Sequence, residues 1–135
     1  IARRQRQMCI RDRNTTVLRP GDILVAVRIP NTWAGSNFYW EKIADRNVWD
    51  FSLVNIAAAF KVSGGNVTDS RIVAGAVQTT PRRLTNVENA IQGQPKNEQT
   101  AQSVMQMATY GARALAHNGF KIPLMQNLVK RAISA

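Results

Sequence analysis

Several residue types that build common functional sites are scarce in this chain. Its 135 residues include one cysteine and one histidine, and eight acidic side chains stand against eighteen basic ones. A single cysteine excludes disulfides within the chain and cysteine-based metal sites. No pair of carboxylates has the spacing of an acid–base couple or of a metal site. The sequence therefore predicts no catalytic residue and no metal ligand in this stretch.

Long hydrophobic runs are also missing. No apolar stretch approaches the roughly 18 residues of a membrane-spanning helix. The first residues, Ile1 to Arg6, lack the apolar centre of a signal peptide, and the chain does not begin with methionine. We therefore expect a cytoplasmic protein without a membrane segment, present here as a piece of a longer chain.

Positive charge is abundant, with a formal net charge of +10. Five arginines lie among the first thirteen residues, in a segment with neither helical nor strand periodicity. We predict that residues 1–14 form a disordered or non-native arm and that residues 15–135 form one domain. The charge leaves open a basic, non-enzymatic adaptor that binds nucleic acid or a protein partner.

Alternating apolar and polar residues in the first two thirds of the chain predict β-strands. The near-continuous apolar run after residue 53 predicts a strand buried on both faces, and the pair Gly64-Gly65 predicts a hairpin turn. The predicted strands are Ile23–Ile29, Phe38–Ile43, Leu53–Val62 and Val67–Val77.

The period changes from two to 3.6 in the last third, which predicts three helices. Thr85 and Glu88 have the spacing of a capping box at the first helix start. The predicted helices cover about residues 85–92, 98–117 and 122–133. The fold class is therefore α+β: an antiparallel sheet of three to four strands followed by three helices packed on one face.

The loop after the second predicted strand concentrates charge and aromatic residues. One interpretation is a solvated hairpin tip in which Arg46 pairs with Asp50. The other is a cationic lip, formed by Lys42 and Arg46, over an anionic or aromatic ligand. The single histidine, His117, lies beside a predicted helix end and has no nucleophile or carboxylate at a recognisable spacing, so it predicts no catalysis.

Four strings in order along the chain together resemble one family. The strings are Leu18 to Leu24 with Arg28 to Pro30, Lys42 to Arg46 with Asp50 to Ala59, Asp69 to Val77 with Thr80 to Arg83, and Ala116 to Leu124 with Leu128 to Ala132. Their order and spacing resemble the C-terminal domain of the FAD-binding subunit of molybdenum hydroxylases. This is the family of xanthine dehydrogenase, aldehyde oxidoreductase and CO dehydrogenase.

The resemblance implies a domain that covers the flavin ring of FAD while electrons pass from molybdenum and iron–sulfur centres to NAD or another acceptor. It implies that FAD is shared with an N-terminal FAD-binding domain. The molybdenum cofactor and the iron–sulfur clusters belong to a molybdenum-binding subunit and an iron–sulfur subunit. This piece alone is not expected to be active, and neither nucleic acid nor membrane is an expected partner.

The resemblance also assigns cofactor-binding residues by position. Leu24 corresponds to an apolar flavin contact and Lys42 to a lysine beside the isoalloxazine ring. Arg46 falls in a loop that in some members moves beside the flavin and tunes access of the acceptor. Trp49 stands where the xanthine dehydrogenase branch has an acidic residue, so the resemblance does not extend to gating of the acceptor by that charge.

Overall fold

The computed structural model describes residues 19–78 and 80–135, so the predicted arm at residues 1–14 lies outside the described part. The chain divides into two units, residues 1–34 and residues 35–135. The predicted start of the domain at residue 15 stays a prediction.

The described part of the first unit, residues 19–34, contains a turn and one 3-10 turn at Asn31–Trp33 but no strand. The predicted strand Ile23–Ile29 is wrong, because these residues belong to no ladder. Its apolar side chains are between 69% and 90% exposed. Alternation shows that a segment can be a strand, but a strand also needs a neighbour to accept its backbone hydrogen bonds.

The second unit contains four antiparallel strands in the order of the chain. Gly64 and Gly65 have φ values of +58° and +83°, as a two-residue hairpin turn requires. The predicted fourth strand ends at Gly75, two residues early, and a two-residue strand that the sequence did not reveal completes the sheet. The strands are β1, Asn37–Ile43; β2, Val54–Ser63; β3, Asn66–Gly75; and β4, Arg82–Arg83.

The register gives the sheet two different faces. Ile56 and Phe60 of β2 are fully buried on one face, whereas Ala57 of the same strand is exposed on the other. The prediction that this strand is buried on both faces is therefore wrong. Its small alanines made the run look continuously apolar, but helices cover one face.

Three helices follow the sheet: α1, Thr85–Ile91; α2, Glu98–Val104; and α3, Lys121–Ser134. Their apolar sides and the buried face of the sheet form a single core, which confirms the predicted fold class. The core residues are Val54, Ile56, Ala58, Phe60, Val67, Ile72, Ala74, Leu84, Val87, Ile91, Ala101, Val104, Ala108, Met125, Leu128, Val129, Ala132 and Ile133.

The predicted helix from residue 98 to residue 117 is too long. Asn97 caps α2 by accepting a hydrogen bond from the backbone N–H of Thr100 at 2.9 Å. After Val104 the chain continues as a 3-10 segment, Met105–Thr109, and Gly111 then adopts a φ of +74°. A left-handed residue cannot continue a right-handed helix, so the helix ends there.

The predicted capping box of α1 is also wrong, because Glu88 binds elsewhere. Its carboxylate accepts a hydrogen bond from the backbone N–H of Ile72 at 2.8 Å. Both carboxylate oxygens accept bonds from the guanidinium of Arg83. The helix therefore begins after Leu84 without a side-chain cap.

A polar network holds α3 to the edge strand β1. The hydroxyl of Tyr39 donates to the carboxylate of Glu41. The other oxygen of Glu41 lies 2.8 Å from the guanidinium of Arg131, near the end of α3. Cations are favourable near the C-terminus of a helix, so this ion pair also suits the helix dipole.

We expect Tyr39 to ionise at higher pH than an ordinary tyrosine. Burial and the hydrogen bond to Glu41 raise the pKa of its hydroxyl. Because the folded state holds this proton more tightly than the unfolded state, its stabilising contribution is lost as pH rises through the folded pKa. A spectrophotometric titration of phenolate absorbance measures this transition. Glu41→Gln should lower the pH at which Tyr39 ionises. An unchanged transition in that variant would contradict the explanation.

Candidate functional site

The face of the sheet opposite the helices carries large exposed aromatic side chains. We call it the outer face; its residues in β1 are Phe38, Trp40 and Lys42. Phe38 and Trp40 are each 68% exposed. Across the sheet, Trp40 stands beside Ala57, and Ala57 stands beside Val73. The indole is largely exposed beside its small cross-strand neighbour Ala57, so this surface can accept a flat aromatic ligand.

The loop that connects β1 to β2, residues 44–53, is held by one carboxylate. Asp50 accepts the backbone N–H groups of Arg46 and Phe51, each at 2.9 Å. The guanidinium of Arg46 lies 3.9 Å from the same carboxylate and donates to the carbonyl of Trp49 at 3.2 Å. The predicted pair of Arg46 and Asp50 is therefore present, and it folds the loop back on itself.

Lys42 lies where the outer face meets this loop. Its ammonium donates to the backbone carbonyl of Asp50. An ammonium has three donors, so this contact positions Lys42 and leaves it able to bind a ligand. No described carboxylate forms an ion pair with Lys42, so its ammonium is available to an anion.

Lys42 and Arg46 line the same open depression, which has a volume of about 390 Å³. This volume falls in the range of roughly 300–1,000 Å³ that is typical of ligand pockets. Trp40 forms part of its wall, and no described carboxylate does. Two cations beside an indole suit a planar aromatic ligand that carries negative charge.

The tip of the loop is apolar and unusually exposed. Trp49 is 94% exposed and has a φ of +53°, a conformation that non-glycine residues rarely adopt. Phe51 is exposed to a similar extent. The strained backbone at Trp49 is held by the contact from Arg46 to its carbonyl.

The three predicted cofactor-binding residues belong to both units of the chain. Lys42 and Arg46 meet at the depression, whereas Leu24 lies in the first unit with its side chain 69% exposed. Their roles stay predictions. Sequence reasoning missed Trp40, although its spacing of two residues from Lys42 already placed both on one face of a strand.

Residues 40–135 match the family described as the CO dehydrogenase flavoprotein C-terminal domain. This chain belongs to that family. The resemblance drawn from the four strings is thereby confirmed, and membership in this flavoprotein family favours a flavoprotein over a basic adaptor. The match begins at Trp40 and includes both Lys42 and Arg46.

Curated relatives of this domain are FAD-binding subunits. A xanthine dehydrogenase FAD-binding subunit of Escherichia coli O157:H7 is 31% identical over 124 residues, covering 87% of this chain and 42% of the relative. An aldehyde oxidoreductase FAD-binding subunit of Escherichia coli K12 is 29% identical over 119 residues, covering 88% of this chain and 34% of the relative. The chain thus spans less than half the length of the curated relatives it matches.

The fold agrees with a solved structure of carbon monoxide dehydrogenase from Hydrogenophaga pseudoflava. The TM-score is 0.74 at 26% identity, and the match covers 88% of this chain and 42% of the other. Within residues 19–78 and 80–135, no helix is long and apolar enough to cross a membrane. The same residues contain no group of three or more His, Cys, Asp or Glu side chains that could hold a metal ion.

Proposed function

We propose that this chain is the flavin-covering domain of the FAD subunit of a molybdenum hydroxylase. The observation that carries this proposal is the position of Lys42, whose side chain lines the same depression as Trp40 on a sheet face that no described helix covers. Family membership supports it, since curated relatives that the chain matches are FAD-binding subunits.

The residues at the depression fit a flavin ring. The ring is planar and aromatic, and it gains negative charge on reduction, which a neighbouring cation stabilises. Lys42 would supply that cation, and the exposed indole of Trp40 would offer an aromatic surface to the ring. Arg46, on the loop, would add positive charge at the entrance, and Leu24 would contribute an apolar contact. FAD, when bound, supplies the capacity to accept and pass on electrons.

The other parts of the enzyme are inferred from the family and its relatives. The family is described as a C-terminal domain, and the chain covers 42% of a related FAD-binding subunit, so we infer that the phosphates of FAD are held by an N-terminal domain. The molybdenum cofactor and the iron–sulfur clusters would be on partner subunits, and electrons would pass from them to FAD and on to NAD or another acceptor. The complete enzyme would be a cytoplasmic oxidoreductase, with this domain as one component.

Lys42→Ala in the complete FAD subunit should lower the flavin potential and weaken FAD binding. A hydrogen bond to a charged group is worth about 1.5–3 kcal/mol, so loss of the cation should weaken FAD about tenfold or more. If the lost binding free energy is that of the reduced flavin, the two-electron reduction potential should drop by about 30 mV or more. Potentiometric titration of flavin absorbance and equilibrium binding of FAD measure the two effects.

Two variants control this experiment. Lys42→Arg keeps the positive charge, so the flavin reduction potential should stay close to that of the unmodified subunit. Lys61→Ala removes a cation from the same face of the sheet, but this lysine pairs with Asp69 and does not line the depression. Unchanged potential and affinity in Lys42→Ala, or an equal loss in Lys61→Ala, would show that Lys42 does not contact the flavin.

A further inference from the structure

A second cavity lies on the helix side of the sheet, away from the outer face. Its volume is about 220 Å³, and it opens between β4, the 3-10 segment Met105–Thr109, residues 110–118 and the start of α3. Apolar side chains of the core form its floor, and cationic side chains surround it. The floor residues are Ala74, Leu84, Ala108 and Met125.

Three cations line this cavity: Arg82, Arg113 and Lys121. None of them forms an ion pair with a described carboxylate, and no described carboxylate lines the cavity. Three like charges around one opening repel each other. Such an arrangement is favourable when an anion lies between them.

Two of the three cations are held in place by backbone carbonyls. The guanidinium of Arg82 donates to the carbonyl of Tyr110 at 3.2 Å. The ammonium of Lys121 donates to the carbonyl of Ala76 at 3.1 Å. Arginine has five N–H donors and lysine has three, so each keeps donors for a ligand. The side chain of Arg113 makes no hydrogen bond with the described residues, and its donors are all available.

The size and the lining together indicate the class of ligand. A cavity of about 150 Å³ lined by apolar side chains is large enough for benzene, so 220 Å³ holds a ring with one further group. An inorganic anion would leave the apolar floor without a contact, and a neutral hydrocarbon would leave the cations without one. We propose that this cavity binds a small organic carboxylate, with a ring-sized apolar body on the floor and its carboxylate between the three cations.

This proposal is independent of the flavin-covering function. Ala74 faces the core, whereas Lys42 lies in the register row of Asn55 and Gly75, on the outer face. The sheet therefore separates the cavity from the depression beside Trp40. Substitutions at the cavity rim leave the residues proposed to contact the flavin in place.

The test is a titration of the 135-residue chain with sodium benzoate at constant ionic strength, followed by amide chemical shifts in NMR spectra. We expect saturable shifts at Gly111, Ala112 and Lys121 with an affinity of about millimolar, as suits a ligand of this size. Arg113→Gln should weaken benzoate about tenfold, because it removes a charge-assisted hydrogen bond. Lys121→Gln should have a similar effect, but it also removes the contact to Ala76, so Arg113→Gln is the cleaner variant.

The controls distinguish binding through the carboxylate from binding through the ring alone and from general attraction to a basic chain. Benzamide has the same ring without the charge and should bind at least about tenfold more weakly. Arg28→Gln removes one cation from the first unit and should leave benzoate binding unchanged. The proposal is overturned if benzamide binds as well as benzoate or if Arg28→Gln weakens binding as much as Arg113→Gln. It is also overturned if inorganic phosphate shifts the amides of the floor residues Ala108 and Met125 as much as benzoate does, or if no saturable shifts occur.

Discussion

Replacing Phe60 with alanine should lower the free energy of unfolding by about 3–5 kcal/mol. Phe60 is 1% exposed, and it is among the largest fully buried side chains of the described chain. It lies on the core face of β2, and the ammonium of Lys96 stands 5.4 Å from the centre of its ring. Alanine would leave a cavity that the helices cannot fill without moving, and it would remove the partner of that cation.

Phe38 offers a matched control for this substitution. It is the same residue type in the neighbouring strand β1, but it lies on the outer face and is 68% exposed. Phe38→Ala should therefore cost less than about 1 kcal/mol, as exposed substitutions usually do. Urea unfolding of the whole chain measures both variants. Equal losses for the two phenylalanines would mean that the core is not where the structure has it.

Glu88→Ala should be the second most damaging change, lowering the free energy of unfolding by about 2–4 kcal/mol. The carbonyl of Leu84 is occupied by the first turn of α1, where the N–H groups of Val87 and Glu88 bind it. It is therefore not available to the buried N–H of Ile72, which binds the carboxylate of Glu88 instead. Alanine would leave that N–H without an acceptor, and it would also leave Arg83 without its carboxylate.

The conservative variant distinguishes these two losses. Glu88→Gln keeps an acceptor oxygen for Ile72 but removes the negative charge that pairs with Arg83. Because the side chain of Arg83 is half exposed, water can replace much of that pairing. We therefore expect Glu88→Gln to retain most of the stability that Glu88→Ala loses. Equal losses in the two variants would assign the effect to the ion pair rather than to the buried backbone N–H.

Strands could be predicted where one face is buried and the strand is long enough to show alternation of apolar and polar residues. The predicted strand at Phe38–Ile43 matches β1 to within one residue. β4 has only two residues, Arg82 and Arg83, and exists because β3 offers it an edge. No local pattern contains that information. The reverse holds for Ile23–Ile29, where the local pattern is clear but no described strand pairs with it.

The helices show the same dependence on partners. The apolar spacing that predicted a helix to residue 117 continues through Ala112 and Leu115, yet both side chains are exposed. Their period is helical, but the fold provides no surface for them to pack against, and Gly111 takes a left-handed conformation instead. Helical stability in proteins comes mostly from packing of the apolar side, so the apolar period alone predicted too long a helix.

Part of the candidate site could be predicted from the sequence. Lys42 and Arg46 were predicted from the charge of their loop as a cationic lip, and the family resemblance then assigned them to the flavin. The spacing of Trp40 from Lys42 placed both on one strand face, but only the structure showed that the helices cover the opposite face and leave this one exposed. The cavity proposed to bind a carboxylate could not be predicted from the sequence, since Arg82, Arg113 and Lys121 come together only through the packing of three separate segments.

The order of the strands has a consequence for how the domain forms during translation. Every hydrogen-bonded pair of strands is consecutive in the chain, so β1, β2 and β3 can pair as soon as they leave the ribosome. The buried face of that sheet must wait for α3, which brings Met125, Leu128 and Ile133 to the core. At roughly 5–20 residues per second, the interval from Gly75 to Ser134 lasts about 3 to 12 seconds. For those seconds the nascent sheet presents Ile56, Phe60 and Ile72 uncovered, and exposed apolar surface of this kind is prone to aggregation.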